Sequence, residues 1–174
     1  MGLRSPSSID YRFTIRRATA DDAELYSRAH VAALHETYAH LMPRAFHEHY
    51  DAELPLLTER RRAALANNDV GYWLALDPAG QPVGVVSSGP GRDEDRPDFE
   101  LHHLYTLSST HGTGLGQRLL DLAVGSSPAY LWILNENPRA ERFYRRNGFQ
   151  SDGTTALCGP VWHHRPMFRM HRTG

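Results

Sequence analysis

Three glycines punctuate the run His111-Gly112-Thr113-Gly114-Leu115-Gly116. The run follows a segment that alternates like a strand and leads into an amphipathic stripe, so successive backbone N–H groups and the positive end of a helix can converge on an anion. Phosphate binding would use that geometry, and so would a tight turn with close helix packing. Two nucleotide loops fit poorly. A Walker loop ends in Gly-Lys-Ser/Thr, and a dinucleotide fingerprint counted from Gly112 needs glycine at 117, where the chain has Gln117. Upstream, Glu100 and His102 are two residues apart, which on a strand puts them on one face at roughly 6–7 Å. A carboxyl and an imidazole there could move a proton, or form a solvated polar face. Downstream, Tyr144 beside Phe143 offers a phenol donor or a core aromatic.

Other reactive side chains lack partners at useful spacing. Cys158 has no His and Asp pattern pointing to an acyl-enzyme and reads as a small buried hydrophobe. His102-His103 and His163-His164 are adjacent pairs; adjacent strand residues point to opposite faces, so no metal is expected. Arg60, Arg61 and Arg62 read as a solvated helix face, as do Arg145 and Arg146.

The elements that must position these groups follow from periodicity. Residues 1–10, rich in serine, read as a frayed terminus, and a strand is expected from Tyr11 to Arg17. Thr19 and Asp22 form a capping-box pattern before a helix from about Asp21 to Tyr38, with Leu25, Ala29, Ala32 and Ala33 as its apolar stripe. Pro43 and Pro55 punctuate the next stretch, and a second helix carries Leu57, Ala64 and Leu65. A hairpin spans the segments from Gly71 to Leu76 and Val83 to Val86 around Asp77-Pro78-Ala79-Gly80. A further strand runs from Phe99 to Leu107, with Phe99, Leu101, Tyr105 and Leu107 on one face. Leu115, Leu119, Leu122 and Ala123 mark a helix, and Tyr130 to Leu134 a strand buried on both faces. Asn137 caps a helix with Pro138 at its first position and Gly148 beyond its end. One or two strands close the chain after a break at Gly159-Pro160.

At 174 residues the chain is one domain long and can bury roughly two thirds of its unfolded surface. Nineteen Lys+Arg against 20 Asp+Glu leave a net charge of −1, so there is no overall basic field for nucleic acid or a membrane surface. A single cysteine forms no internal disulfide, and no apolar stretch approaches the ~20 residues of a membrane span. With no signal-like start either, a cytoplasmic protein is expected.

The glycine loop together with Asn137-Pro138-x-Ala140-x-x-Phe143-Tyr144-x-x-x-Gly148-Phe149 resembles the GNAT superfamily of acetyl-CoA-dependent N-acetyltransferases. The resemblance runs from about Tyr11 to the C-terminus and is most specific over Glu100 to Phe149. One departure is His111, where the family prefers Arg or Gln, which makes the loop less cationic near neutral pH. The resemblance implies a single α/β domain (11–174) with a mixed, mostly antiparallel sheet, splayed fourth and fifth strands and flanking helices. It implies acetyl-CoA as cosubstrate, held by backbone at Leu104, Tyr105 and Thr106, by the loop from His111 through Gly112, Thr113, Gly114 and Leu115 to Gly116, and by Asn137, Ala140 and Phe143. Acetyl would pass to a primary amine of a small molecule or peptide by direct attack in a ternary complex. Glu100 matches the general-base position of histone-modifying members, His102 could relay or replace it, and Tyr144 matches the phenol that protonates the leaving thiolate. His30, His35, Glu36, Tyr38 and His40 would wall the acceptor cleft. A non-catalytic acyl-CoA-binding domain would need neither Glu100 nor Tyr144. A homodimer stays open.

Overall fold

The computed structural model describes residues 12–96 and 99–174. The expected frayed terminus and Tyr11 lie outside the described residues. Seven strands form one sheet: β1 (Thr14–Arg17), β2 (Gly71–Leu76), β3 (Pro82–Pro90), β4 (Phe99–Thr106), β5 (Ala129–Leu134), β6 (Gln150–Leu157) and β7 (Pro166–Arg172). Their spatial order is β1-β2-β3-β4-β5-β7-β6, antiparallel throughout except for the parallel β4–β5 pair. Four helices flank it: α1 (Ala23–Tyr38), α2 (Arg44–Ala66), α3 (Leu115–Ala123) and α4 (Pro138–Arg146). Leu101, Leu115, Leu119, Leu131 and Phe149 fill the core under α3 and α4, whereas Tyr26, Leu74 and Val85 fill the layer under α1 and α2.

Local chemistry explains most boundaries. Thr19 and Asp22 form the expected capping box, Asp22 Oδ2 accepting from Thr19 N at 2.8 Å, and Arg16 locks the same carboxylate at 2.6 Å. Asn137 Oδ1 accepts from Ala140 N at 3.1 Å, which starts α4, and Gly148 ends it at φ +82°. Three expectations need correction. Pro55 does not break the chain; α2 continues through it for 23 residues, because Phe46 and Leu65 are anchored in the core on either side of the missing N–H. The buried stripe of α1 runs through Ala23, Tyr26, Ala29 and Ala33, with Leu25 and Ala32 exposed, and Leu120 rather than Leu122 faces the core from α3. Arg61 is half-buried rather than fully solvated: its guanidinium lies over the rings of Tyr26 at 4.7 Å and Tyr72 at 5.2 Å.

Two irregularities shape the sheet around β4. Ser87 pairs with His103 but Ser88 with Leu101, so His102 is an extra residue on β4 with no partner across the ladder. This bulge inverts the alternation beyond it. Leu101 and Leu104 therefore pack with the α3 layer while Tyr105 packs with the α1 layer, contrary to the single face expected from period two. The second irregularity is a splay: β4 and β5 pair only at Phe99–Ala129 and Glu100–Tyr130. Beyond them the two strands separate, which opens a cleft through the middle of the sheet.

Candidate active site

Two cavities meet in that cleft. The first, of about 310 Å³, is lined by Leu104, Tyr105 and Thr106 of β4, by His111, Gly112, Gly114 and Gly116 of the loop, and by Asn137, Ala140, Phe143 and Tyr144 of α4. Gly112 and Gly114 hold φ of +78° and +86°, and Gly114 is the N-cap of α3. A Cβ built on either glycine meets no atom within 4 Å, and one on Gly116 meets only Phe143 at 3.8 Å. The loop is thus an open cradle at a helix N-terminus, the environment a diphosphate needs.

Two members of the loop serve it differently. Thr113 turns its hydroxyl onto Thr110 O at 2.6 Å and takes Leu115 N at 3.4 Å, and the Leu115 side chain is wholly buried against the sheet. They shape the loop and line no part of the cavity. Sequence reasoning passed over Thr37, Thr110, Gln117 and Arg139, which also line it, and set Arg146 aside as an exposed charge. Arg139 is the informative omission. It touches the His111 ring from α4, so burial and then the guanidinium charge hold that imidazole below its usual pKa. The cation the loop lacks is supplied by the facing helix, one residue inside the Asn137-Pro138 cap.

The second cavity, about 340 Å³, shares Leu104, Tyr105, Asn137, Ala140 and Tyr144 with the first, and extends between β4 and β5. Tyr144 is buried, and burial with the neighbouring Tyr38 pushes its phenol pKa well up, which keeps the hydroxyl protonated. Tyr38 walls this cavity as expected. The other α1 side chains expected there do other things. His30 stacks on His103 at 4.5 Å, His35 bridges His47 and Asp51, Glu36 accepts from Ser108 N, and His40 is exposed in the turn after α1. Trp132, Trp162, Met167 and Cys158 complete the wall. Cys158 is therefore half-buried at the cavity rather than remote from it. No local pattern announces Trp162, which arrives through a 3-10 turn (Pro160–Trp162).

Glu100 and His102 lie together as expected, Oε2 to Nε2 at 3.9 Å, but in unlike states. The Glu100 carboxylate is 1% exposed and accepts from Arg92 Nη2 at 2.5 Å, Arg92 Nε at 2.9 Å, Arg92 N at 3.1 Å and the Tyr130 hydroxyl at 3.0 Å. Burial pushes this carboxyl up, and the Arg92 and Tyr130 interactions more than reverse it, so its pKa is held below the usual value. His102 lines the second cavity, and burial followed by the Arg92 charge keeps its imidazole neutral at physiological pH. Glu100 itself lines neither cavity. Among the described residues, no group of three or more His, Cys, Asp or Glu side chains is placed to hold a metal ion, and no helix is long and apolar enough to cross a membrane.

Known proteins share this arrangement. Residues 68–151 match the acetyltransferase (GNAT) domain family. A probable N-acetyltransferase of Mycobacterium tuberculosis is 34% identical over 93 residues, covering 51% of this chain and 52% of the relative. The chain thus matches little more than half the length of the first such relatives. Among solved structures, the PaiA N-acetyltransferase of Thermoplasma acidophilum, in complex with coenzyme A, superposes with a TM-score of 0.71 at 19% identity, over 93% of this chain and 99% of that one. A chimeric spermidine N-acetyltransferase from Vibrio cholerae gives 0.66 at 16% identity, over 93% and 95%. At such identities the structures speak for the fold, while the family match falls on the stretch from β2 to the start of β6 that builds the cradle and the splay. Over residues 68–151 the chain is similar to the acetyltransferase (GNAT) domain, and its overall fold is that of these solved N-acetyltransferases.

Proposed function

We propose that this protein moves acetyl from acetyl-CoA to a primary amine by direct attack in a ternary complex. The observation that carries the reading is the shared wall: the cradle-bearing cavity and the β4–β5 cavity meet at Leu104, Tyr105, Asn137, Ala140 and Tyr144, so two substrates can be held end to end. Acetyl-CoA supplies the activated acyl group. The open Gly112–Gly116 cradle, with Arg139 and Arg146, holds its phosphates, and the β4 backbone left unpaired by the splay accommodates the arm. His102, neutral and facing the acceptor cavity, takes the amine proton, and Tyr144 gives a proton to the departing sulfur. Glu100, consumed by Arg92 and Tyr130, sets a negative charge 3.9 Å from His102 Nε2 rather than accepting the proton itself, and Pro90 O orients the ring at 3.4 Å.

Calorimetry with acetyl-CoA and a CoA-release assay across an amine panel test this together. Micromolar binding and amine-dependent release are expected. Gly114→Val, which forces a β-branched residue to φ +86°, should weaken binding at least roughly tenfold. Unchanged affinity in a folded variant overturns the cradle, and acetyl-CoA binding with no acceptor in a broad panel overturns the enzyme in favour of an acyl-CoA-binding domain.

A further inference from the structure

The charges around the acceptor cavity carry information about what enters it. Among the described residues, no aspartate or glutamate lines either cavity; the charged side chains that do are Arg92 on the acceptor side and Arg139 and Arg146 on the cofactor side. Four carboxylates on the elements around the cleft are each held by a partner. Glu100 closes on Arg92, Asp93 on Arg169 at 2.9 Å, Glu136 on Arg165 at 2.7 Å, and Glu36 on Ser108 N. Apart from His102, His103 and Asn137, what remains is apolar and aromatic, chiefly Tyr38, Tyr105, Trp132 and Trp162, with Ile133 and Met167.

Such a wall treats one positive charge and two very differently. The reacting nitrogen sheds its proton on the way to the amide, so it needs no permanent counter-ion. A second ammonium further along the acceptor would stay charged, lose its water and find no carboxylate. Aromatic faces could in principle replace the carboxylate, but the two indoles are already engaged. The Arg169 guanidinium already lies 5.7 Å from the Trp132 ring, and Trp162 packs edge to face on Tyr38 and Phe46 at 5.2 and 4.9 Å.

We propose that the acceptor is a monoamine borne on an aromatic or bulky apolar body, with no second positive charge, and that Arg92 enforces the choice by neutralising Glu100, which lies beside the cavity-lining His102. The inference rests on the acetyltransfer reading above. The step balances: the ammonium first gives one proton to solvent, the N–C bond of the neutral amine forms as the thioester C–S bond breaks, the nitrogen passes a second proton to His102 and the sulfur gains one from Tyr144, and proton return from His102 through solvent to Tyr144 restores both groups.

The test compares 2-phenylethylamine with 1,4-diaminobutane and spermidine, following CoA release at fixed pH with saturating acetyl-CoA. For the wild type, kcat/KM should favour 2-phenylethylamine at least roughly tenfold. Two variants install a negative charge at the wall: Arg92→Met, which uncovers Glu100, and Cys158→Asp, which adds a carboxylate without touching the Arg92 pair. Either, with acetyl-CoA affinity unchanged, should shift the ratio toward 1,4-diaminobutane by about tenfold. Equal or better use of the diamine or spermidine by the wild type overturns the inference while leaving acetyltransfer intact. An unshifted ratio in a folded Cys158→Asp protein overturns the electrostatic cause. Absence of acetylation of any amine overturns the acetyltransfer reading, and this inference with it.

Discussion

At its first two residues β4 is a paired strand, hydrogen-bonded to β5 and closed by a buried Glu100 carboxylate that an exposed Arg92 caps; from Leu101 onward the same strand borders an open cleft. The paired end holds Glu100, whose oxygens accept four hydrogen bonds from Arg92 and Tyr130. The open end holds Leu104, Tyr105 and Thr106, whose walls serve both cavities. His102, the bulged residue between them, is where one becomes the other. The difference teaches that a carboxylate two residues from a reactive face need not be the proton acceptor: saturation by donors fixes its charge and leaves it little basicity to use.

The largest effect that would sharpen this contrast is at the open end. Tyr144→Phe keeps the ring's packing and removes the donor, so turnover at saturating substrates should fall roughly 10²–10⁴-fold with acetyl-CoA affinity almost unchanged. Full turnover by a folded variant would reduce Tyr144 to a core aromatic. Next comes the boundary between the halves. His102→Gln should cost on the order of 10² in kcat and abolish the acidic limb of the rate profile. Glu100→Gln should instead act on stability, by about 1–3 kcal/mol in chemical denaturation, because the buried site loses an ion pair and one acceptor. A Glu100→Gln enzyme that keeps its stability but loses as much turnover as His102→Gln would break the comparison and return the base to the paired end.

The effect furthest from the chemistry is a pH dependence beside β4 on the α1 side. Burial, with Arg61 adding to it, depresses His30 to about 3, and burial holds His103, stacked on it, well below 6.5. Both favour the neutral ring in the folded state, so their contribution is complete above the unfolded value near 6.5 and is lost as pH falls below it. The groups facing the pair are Arg61, Tyr26, Tyr105 and Ser87. Stability should drop by at most about 1.4 kcal/mol per pH unit for each ring below 6.5. His30→Phe, which keeps a stacking ring, should flatten that slope in melts between pH 7.5 and 5; an unaltered slope would move the proton uptake elsewhere.

Legibility in the sequence followed the same division. The cofactor side could be read because it depends on glycines, a strand and a capped helix, each with a local signature: Gly112 and Gly114 at positive φ, and Asn137 before Pro138. Arg139 was one residue from a recognised cap and was missed because its partner, His111, lies 28 residues away. The acceptor side has no such signature. Tyr38, Trp132 and the Cys158–Trp162 connection come from three separate segments, and only packing brings them together. Period-two reasoning also failed at His102, since a bulge shifts the face of every later residue without marking the residue types. The ion pair that occupies Glu100 was invisible for another reason: Arg92 reaches it from a loop with no periodicity.

The 3%-exposed Arg169 has a consequence for the order in which the chain can finish itself. Its guanidinium gathers Asp93, Asp95 and Asp152, and Asp93 in turn holds the Trp132 indole N–H at 3.0 Å. Asp93 and Asp95 precede Arg169 by 76 and 74 residues, so during vectorial synthesis the loop that carries Arg92 can reach Glu100, Tyr130 and Trp132 but lacks its Arg169 clamp until β7 has been made. At ~5–20 residues per second the ribosome needs several seconds to cover that interval. The cradle's own residues are all translated before then. A nascent chain halted before β7 is therefore expected to carry the glycine loop with an unfinished acceptor wall, its Asp93 and Asp95 still in water.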